Sequence, residues 1–276
     1  MVNQTWIYDA MLYLYALSLL FYFSDFAIQS RRAKRIGTGL LLFVWVAQTA
    51  VFLARMIEHR EMPVLTAFDT MFFFSWLLVT VSLVLSRFYA IEMVVFFVNV
   101  IGFSVMALNV FSNPKVAFAL QQWEVADRML TIHIVLAIGG YAALTIAAVF
   151  AGMYLFLHRG LKEKRWSARM KRLPSLEKIE RYAFLSVLAG MPLLILSLSI
   201  GTVWIALTDR WELLFDVKVI LSYFVLAAYA VFLIRRASLR WTGEKLAWWN
   251  LAAFSSVLVN FLVSDRFSGF HQWIWN

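Results

Sequence analysis

Eight stretches of this chain, each about a bilayer's worth of apolar residues, decide what it can fold into. They run over roughly 6–26, 36–57, 67–86, 89–111, 129–157, 182–207, 217–234 and 246–264. At about 1.5 Å of rise per residue, ~20 residues of helix cross the ~30 Å hydrocarbon layer of a membrane. Lipid offers backbone N–H and C=O groups no water, and a helix satisfies them within itself. The chain as a whole is 63% hydrophobic and 15% charged, where a soluble domain carries about 25% charged residues. The expected fold is therefore all-α: a polytopic integral membrane bundle of about eight transmembrane helices, forming one domain over 1–276. Ser86, Arg87 and Phe88 separate the third stretch from the fourth, so these two should form a tight hairpin. No internal repeat, low-complexity tract or soluble domain is evident.

The net charge of +9 gains meaning from its placement. One set of loops carries Arg31, Arg32, Lys34, Arg35, Arg87, the basic residues from Arg159 to Arg181, then Arg235, Arg236, Arg240 and Lys245. That set holds 18 of the 25 Lys and Arg residues. The opposite set is Arg55, Arg60, Lys115, Arg128, Arg210, Lys218 and Arg266. Basic residues accumulate on the cytoplasmic side of membrane proteins, so both termini are expected outside. Trp6, Trp123, Trp204, Trp211, Trp273 and Trp275 then fall at the outer interface, where amphipathic indoles are favoured. Met1 to Tyr8 lacks the basic segment of a signal peptide, so the first apolar stretch reads as a span.

Several chemistries are excluded. With no cysteine, there is no disulfide, thiolate-held metal or covalent haem attachment. No phosphate-binding glycine loop of the nucleotide-driven kind occurs. The basic charge belongs to membrane topology, so nucleic acid is not an expected partner. The chain is expected not to be an enzyme.

Four histidines are present, and three of them map to the outer face: His59 after the second span, His133 near the outer end of the fifth, and His271 in the tail. His158 lies at the other end of the fifth span. An imidazole at the depth of His133 is costly without a partner and marks a candidate site. Neutral imidazole ligates haem iron well, an apolar wall suits the macrocycle, and Arg55, Arg60 and Arg128 lie where propionates would be. A proton relay and a plain interhelical hydrogen bond are the competing readings.

The stretch His133-Ile-Val-Leu-Ala-Ile-Gly139-Gly140-Tyr141 resembles the membrane core of cytochrome c assembly proteins of the CcsA, ResC and CcmC type. So do Leu173-Pro174-Ser175-Leu176-Glu177, Ile200-Gly201-Thr202-Val203-Trp204, Asp216-Val217-Lys218 and Ser268-Gly269-Phe270-His271. Met62-Pro63-Val64-Leu65-Thr66, running into Ser75-Trp76, is a looser match. One departure is informative. The haem-handling members carry a W-G-x-x-W-x-W-D segment between the sixth and seventh helices. Here it reads Trp204-Ile-Ala-Leu-Thr-Asp-Arg-Trp211-Glu-Leu-Leu-Phe-Asp216-Val-Lys218, with the terminal Asp and Lys kept and most of the tryptophan platform gone.

That combination resembles the platform-poor branch of the family that accompanies haem biosynthesis in Gram-positive bacteria. The resemblance implies non-covalent haem b, with His133 and His271 as the axial pair and His59 as a further ligand candidate. Arg55, Arg128, Asp216 and Lys218 would be cofactor contacts. Asp216 and Lys218 have an equally good structural reading as an interfacial pair capping the seventh helix. The resemblance also implies glutamyl-tRNA reductase as partner, restrained or recruited through the basic loop 159–181; contact with anionic lipid is the plainer reading of that loop. Haem transport or delivery for cytochrome c assembly, and a small histidine-dependent transporter or sensor, are the alternatives.

Overall fold

The computed structural model describes residues 5–59, 62–64, 66–88, 92–112, 128–164, 170 and 173–267. Among these, all regular structure is helical. The elements are α1 (Thr5–Ile28), α2 (Arg31–His59), α3 (Ala67–Phe88), α4 (Glu92–Ser112), α5 (Arg128–Lys162), α6 (Leu176–Leu207), α7 (Val217–Ala237) and α8 (Glu244–Phe267), with a short 3-10 helix (Trp211–Phe215) before α7. All eight long helices have the length and apolarity to cross a membrane. The chain is thus a multi-pass membrane protein.

Helix ends extend past the apolar stretches where the local chemistry favours it. The α6 helix begins at Leu176, six residues before the hydropathy rises, because Ser175 is its cap and accepts from the Lys178 N–H at 3.4 Å. A capping hydroxyl satisfies one of the free N–H groups of a first turn. Gln29, in the left-handed region at φ 59°, closes α1, and the Ser30 hydroxyl accepts from the Ala33 N–H to open α2.

The chain's contacts gather into two compact units, one containing α1–α4 and the other α5–α8. In the first, α1 packs on α2, α2 on α3, α3 on α4, and α4 back on α1. Its polar side chains pair inside the helix interfaces. Tyr15 donates to Asn99 Oδ1 at 2.8 Å, and Asn99 donates to Ser82 at 2.7 Å. Trp45 and Trp76 donate to Thr80 and Thr49. At one end, Thr66 caps α3 and aligns Asp69, which holds Arg55 of α2 at 2.6 Å.

The second unit repeats the cyclic order, with α5 on α6, α6 on α7, α7 on α8, and α8 on α5. Its α5–α6 hairpin is tight because Gly140 faces Gly190. A Cβ on Gly140 would fall 2.6 Å from Leu194 Cγ, and one on Gly190 would fall 3.0 Å from the Gly140 carbonyl oxygen. Small residues at such crossings let helix backbones approach closely in lipid. At the far end of this hairpin, Glu180 pairs with Arg236 at 2.7 Å and accepts the Gly243 N–H, clasping the α7–α8 turn onto α6. Gly243 has φ 69°, and a Cβ there would meet the Tyr154 hydroxyl at 2.9 Å. Glycine fits both demands.

Candidate ligand site at His133

His133 stands in the second turn of α5, facing α6 in the same register that pairs Gly140 with Gly190. Its Nδ1 lies 2.7 Å from the Ser197 carbonyl oxygen. A carbonyl only accepts, so the imidazole proton sits on Nδ1 and points to Ser197. The Ser197 hydroxyl donates back to the His133 carbonyl at 2.8 Å and lies 3.1 Å from Nδ1. These contacts lock ring orientation and tautomer together. Nε2 is left with its lone pair, and no described residue hydrogen-bonds to it.

One turn beyond Ser197, Gly201 makes the notch that seats the ring. A Cβ at Gly201 would lie 2.8 Å from both Cε1 and Nδ1 of His133, so only a bare backbone admits the imidazole there. Metal-ligating histidines commonly donate their second ring N–H to a backbone carbonyl, which fixes the tautomer and raises the basicity of the free nitrogen. The residues present therefore suit an axial contact to haem iron. Lys218, at the start of α7, lies within electrostatic reach of the same imidazole.

The other candidates divide by unit. Asp216 caps α7, accepting the Lys218 N–H on Oδ1 at 2.8 Å, as the capping half of its structural reading expected. Arg128 is the exposed first residue of α5. Arg55 belongs to the first unit, where Asp69 and the Phe68 ring, 5.5 Å from its guanidinium carbon, engage it. His59 ends α2. Arg60 and His271 lie outside the described residues. His158 stacks on Tyr154 and approaches Glu244 Oε2 at 3.7 Å, in keeping with a structural role. Among the described residues, no cluster of three or more His, Asp or Glu side chains could hold a bare metal ion.

Two contributors escaped the sequence reading. Ser197 gave no signal, and Gly201 stood inside a family-like motif without an assigned part. Their i, i+4 spacing on the α6 face opposite His133 is the pattern that unites them. Where the tryptophan platform would stand, the chain has the five-residue 3-10 helix. Trp211 is half exposed there, its indole N–H donating to Asp209, and Phe215 is exposed.

Comparison with known proteins agrees with this outline. A family model described as cytochrome C assembly protein matches residues 64–271. Protein HemX of Brevibacillus brevis is 39% identical over 273 residues, covering 99% of this chain and 100% of the relative. Protein HemX of Bacillus subtilis is 36% identical over 258 residues, covering 94% of each. The cytochrome c biogenesis protein CcsA of Guillardia theta is 22% identical over 261 residues, covering 87% of this chain and 86% of the relative.

Proposed function

The chain belongs to the cytochrome c assembly protein family, and from that premise we propose that it is a HemX-like haem-binding regulator of haem biosynthesis in the bacterial plasma membrane. The observation that carries the haem reading is the imidazole of His133, tethered through Nδ1 to Ser197 and seated against Gly201, with Nε2 uncommitted. Bound haem b supplies an iron that accepts such a nitrogen. Ser197 holds the proton on Nδ1, Gly201 lets the ring sit flush with α6, and Lys218 offers a cation to a propionate. His271 is the proposed second ligand, with Arg128 as an additional cation; His59 and Arg55, in the first unit, are candidates for contacts to a second haem.

The regulatory half of the proposal rests on kinship with the HemX proteins and on charge. Nine basic residues between Arg159 and Arg181 give this segment a charge suited to an acidic face of glutamyl-tRNA reductase. This requires the loop to face the cytoplasm and both termini to lie outside, as the distribution of basic residues indicates. Since the chain has no cysteine, single cysteines introduced near Trp6 and at Ser175 report sidedness directly through an impermeant maleimide.

The protein purified in mild detergent should show a Soret band with low-spin features of bis-imidazole ligation. His133→Ala and His271→Ala should each remove it, while His158→Ala should leave it intact. A colourless protein that cannot be reconstituted with haem overturns the reading. Co-purification of glutamyl-tRNA reductase, weakened by charge reversal in 159–181, tests the partner. Kinship with CcsA favours haem delivery as the second reading, and failure of cytochrome c maturation in a deletion strain would select it instead.

A further inference from the structure

Around the α7–α8 turn stand four basic side chains, Arg235, Arg236, Arg240 and Lys245, against one carboxylate, Glu244. The two adjacent arginines are held in opposite ways. Arg236 is neutralised: its Nη1 lies 2.7 Å from Glu180 Oε1 and donates to the Trp241 carbonyl at 3.1 Å. Arg235 meets two indole faces instead. Its guanidinium carbon lies 3.8 Å from the centroid of the Trp249 ring and 4.4 Å from that of Trp241. Of the nearby carboxylates, Glu180 is engaged by Arg236 and the Gly243 N–H, and Glu244 lies 3.7 Å from His158.

Both indoles are fixed by the fold itself. Trp249 donates its Nε1–H to the Ala228 carbonyl of α7 at 3.2 Å, and the Trp241 N–H donates to the Arg235 carbonyl at 3.1 Å. Both rings also pack on the buried core of the second unit around Tyr229 and Phe232. Stacking uses the flat faces of a guanidinium and leaves its N–H donors, which lie in its plane, at the rim. Arg235 is only partly buried, so a cation held in one orientation still meets its surroundings.

The turn joins the end of one membrane-spanning helix to the start of the next, which places it at the depth of lipid headgroups. Arg240 and Lys245 are exposed there, as are Leu239 and Trp248, at 60% and 59%. We infer that this turn is a binding site for the phosphate of an anionic phospholipid, with Arg235 as the residue that receives it. A guanidinium edge matches two phosphate oxygens at once. Arg240 and Lys245 add positive charge that attracts a net-negative headgroup and opposes the cation of a zwitterionic one. Leu239 and Trp248 offer an apolar contact to the acyl chains, which a free phosphate ion lacks. The site is independent of the ligand of His133 and of which membrane face the turn occupies.

Native mass spectrometry tests this on the full chain, stripped of lipid in mild detergent and titrated with single phospholipids. The folded protein should retain phosphatidylglycerol at a several-fold lower concentration than phosphatidylcholine. Arg235→Gln should abolish that preference. Arg235→Lys keeps the charge over the indoles but loses the two-pronged edge, so it should fold normally and bind phosphatidylglycerol several-fold more weakly. Arg31→Gln, at the exposed start of α2, should leave binding unchanged. Excess inorganic phosphate should not displace the lipid; displacement would assign the site to the free ion and overturn the lipid assignment. Equal retention of the two lipids by the wild-type protein overturns the inference. So does unchanged phosphatidylglycerol binding in Arg235→Lys, or weakening by Arg31→Gln as large as by Arg235→Gln.

Discussion

The two four-helix units share a cyclic order of neighbours but treat buried polarity differently. In the first, hydroxyls, amides and indoles pair with one another across each interface, and Arg55 meets Asp69. Its partial exception is Gln48, whose Nε2 reaches Ser75 and Met106 while its Oε1 has no partner. In the second, Nε2 of His133, the Tyr229 hydroxyl and the whole Asn250 amide hydrogen-bond to no described residue. Similar helix packing thus pairs most of the buried polar groups of the first unit, Gln48 Oε1 aside, and leaves a phenol and a whole amide unpaired among the described residues of the second.

The largest expected effect breaks the first unit alone. Asp69→Ala removes the carboxylate that holds Arg55, whose side chain is 19% exposed beside a 9% exposed Asp69. Loss of one member of a buried pair costs about 3–5 kcal/mol. Thermal unfolding in detergent should show that loss. The Soret band that depends on His133 should stay unchanged per folded molecule; any haem lost beyond it would assign Arg55 to a haem contact of its own, as one of its two readings holds.

Gly140→Leu acts on the second unit's scaffold. Its added atoms would enter the space of Leu194, and overpacking of this kind costs about 1–3 kcal/mol. Unfolding temperature should drop while the absorption spectrum of the folded fraction keeps its form. Gly201→Ala, placed one turn past Ser197 on the same helix, should do the reverse. Its methyl group lies on the His133 ring, so haem affinity should fall about tenfold, or ~1.4 kcal/mol, with a smaller change in unfolding temperature. Equal haem affinity in the wild-type protein and Gly201→Ala would mean that the notch does not position the ligand.

The helices were legible because length and apolarity are summed over many residues. Each of the eight stretches became a helix, with differences confined to the ends: Ser175 and Ser30 caps start α6 and α2 early, α5 runs on to Lys162, and α3 continues through Ser86, Arg87 and Phe88, which were expected to separate it from α4. His133 was legible because an imidazole is conspicuous in an apolar span. Ser197 and Gly201 were not, since a serine and a glycine are ordinary components of membrane helices and gain meaning only once α6 is laid against α5. Tyr229 and Asn250 were hidden for the same reason. Whether a buried polar group has a partner depends on three helices at once, and no periodicity within one of them reports it.

The smallest effect separates two readings of Asp216, which the sequence left balanced between helix cap and cofactor contact. Its Oδ1 accepts the Lys218 N–H at the start of α7, and loss of such a cap costs about 1 kcal/mol. Asp216→Ala should therefore lower stability by about that amount, whereas Asp216→Asn, which keeps an accepting oxygen and loses the charge, should be nearly neutral. If capping is the whole role, haem affinity will follow stability and Asn will behave as the native residue. A fall in affinity for Asp216→Asn without a fall in stability would instead assign the carboxylate's charge to the site, beside Lys218 and His133. Lys218→Met completes the comparison. It leaves the capped backbone N–H in place and removes the ammonium, so a weaker haem complex with unchanged stability would assign the cation, and not the cap, to ligand binding.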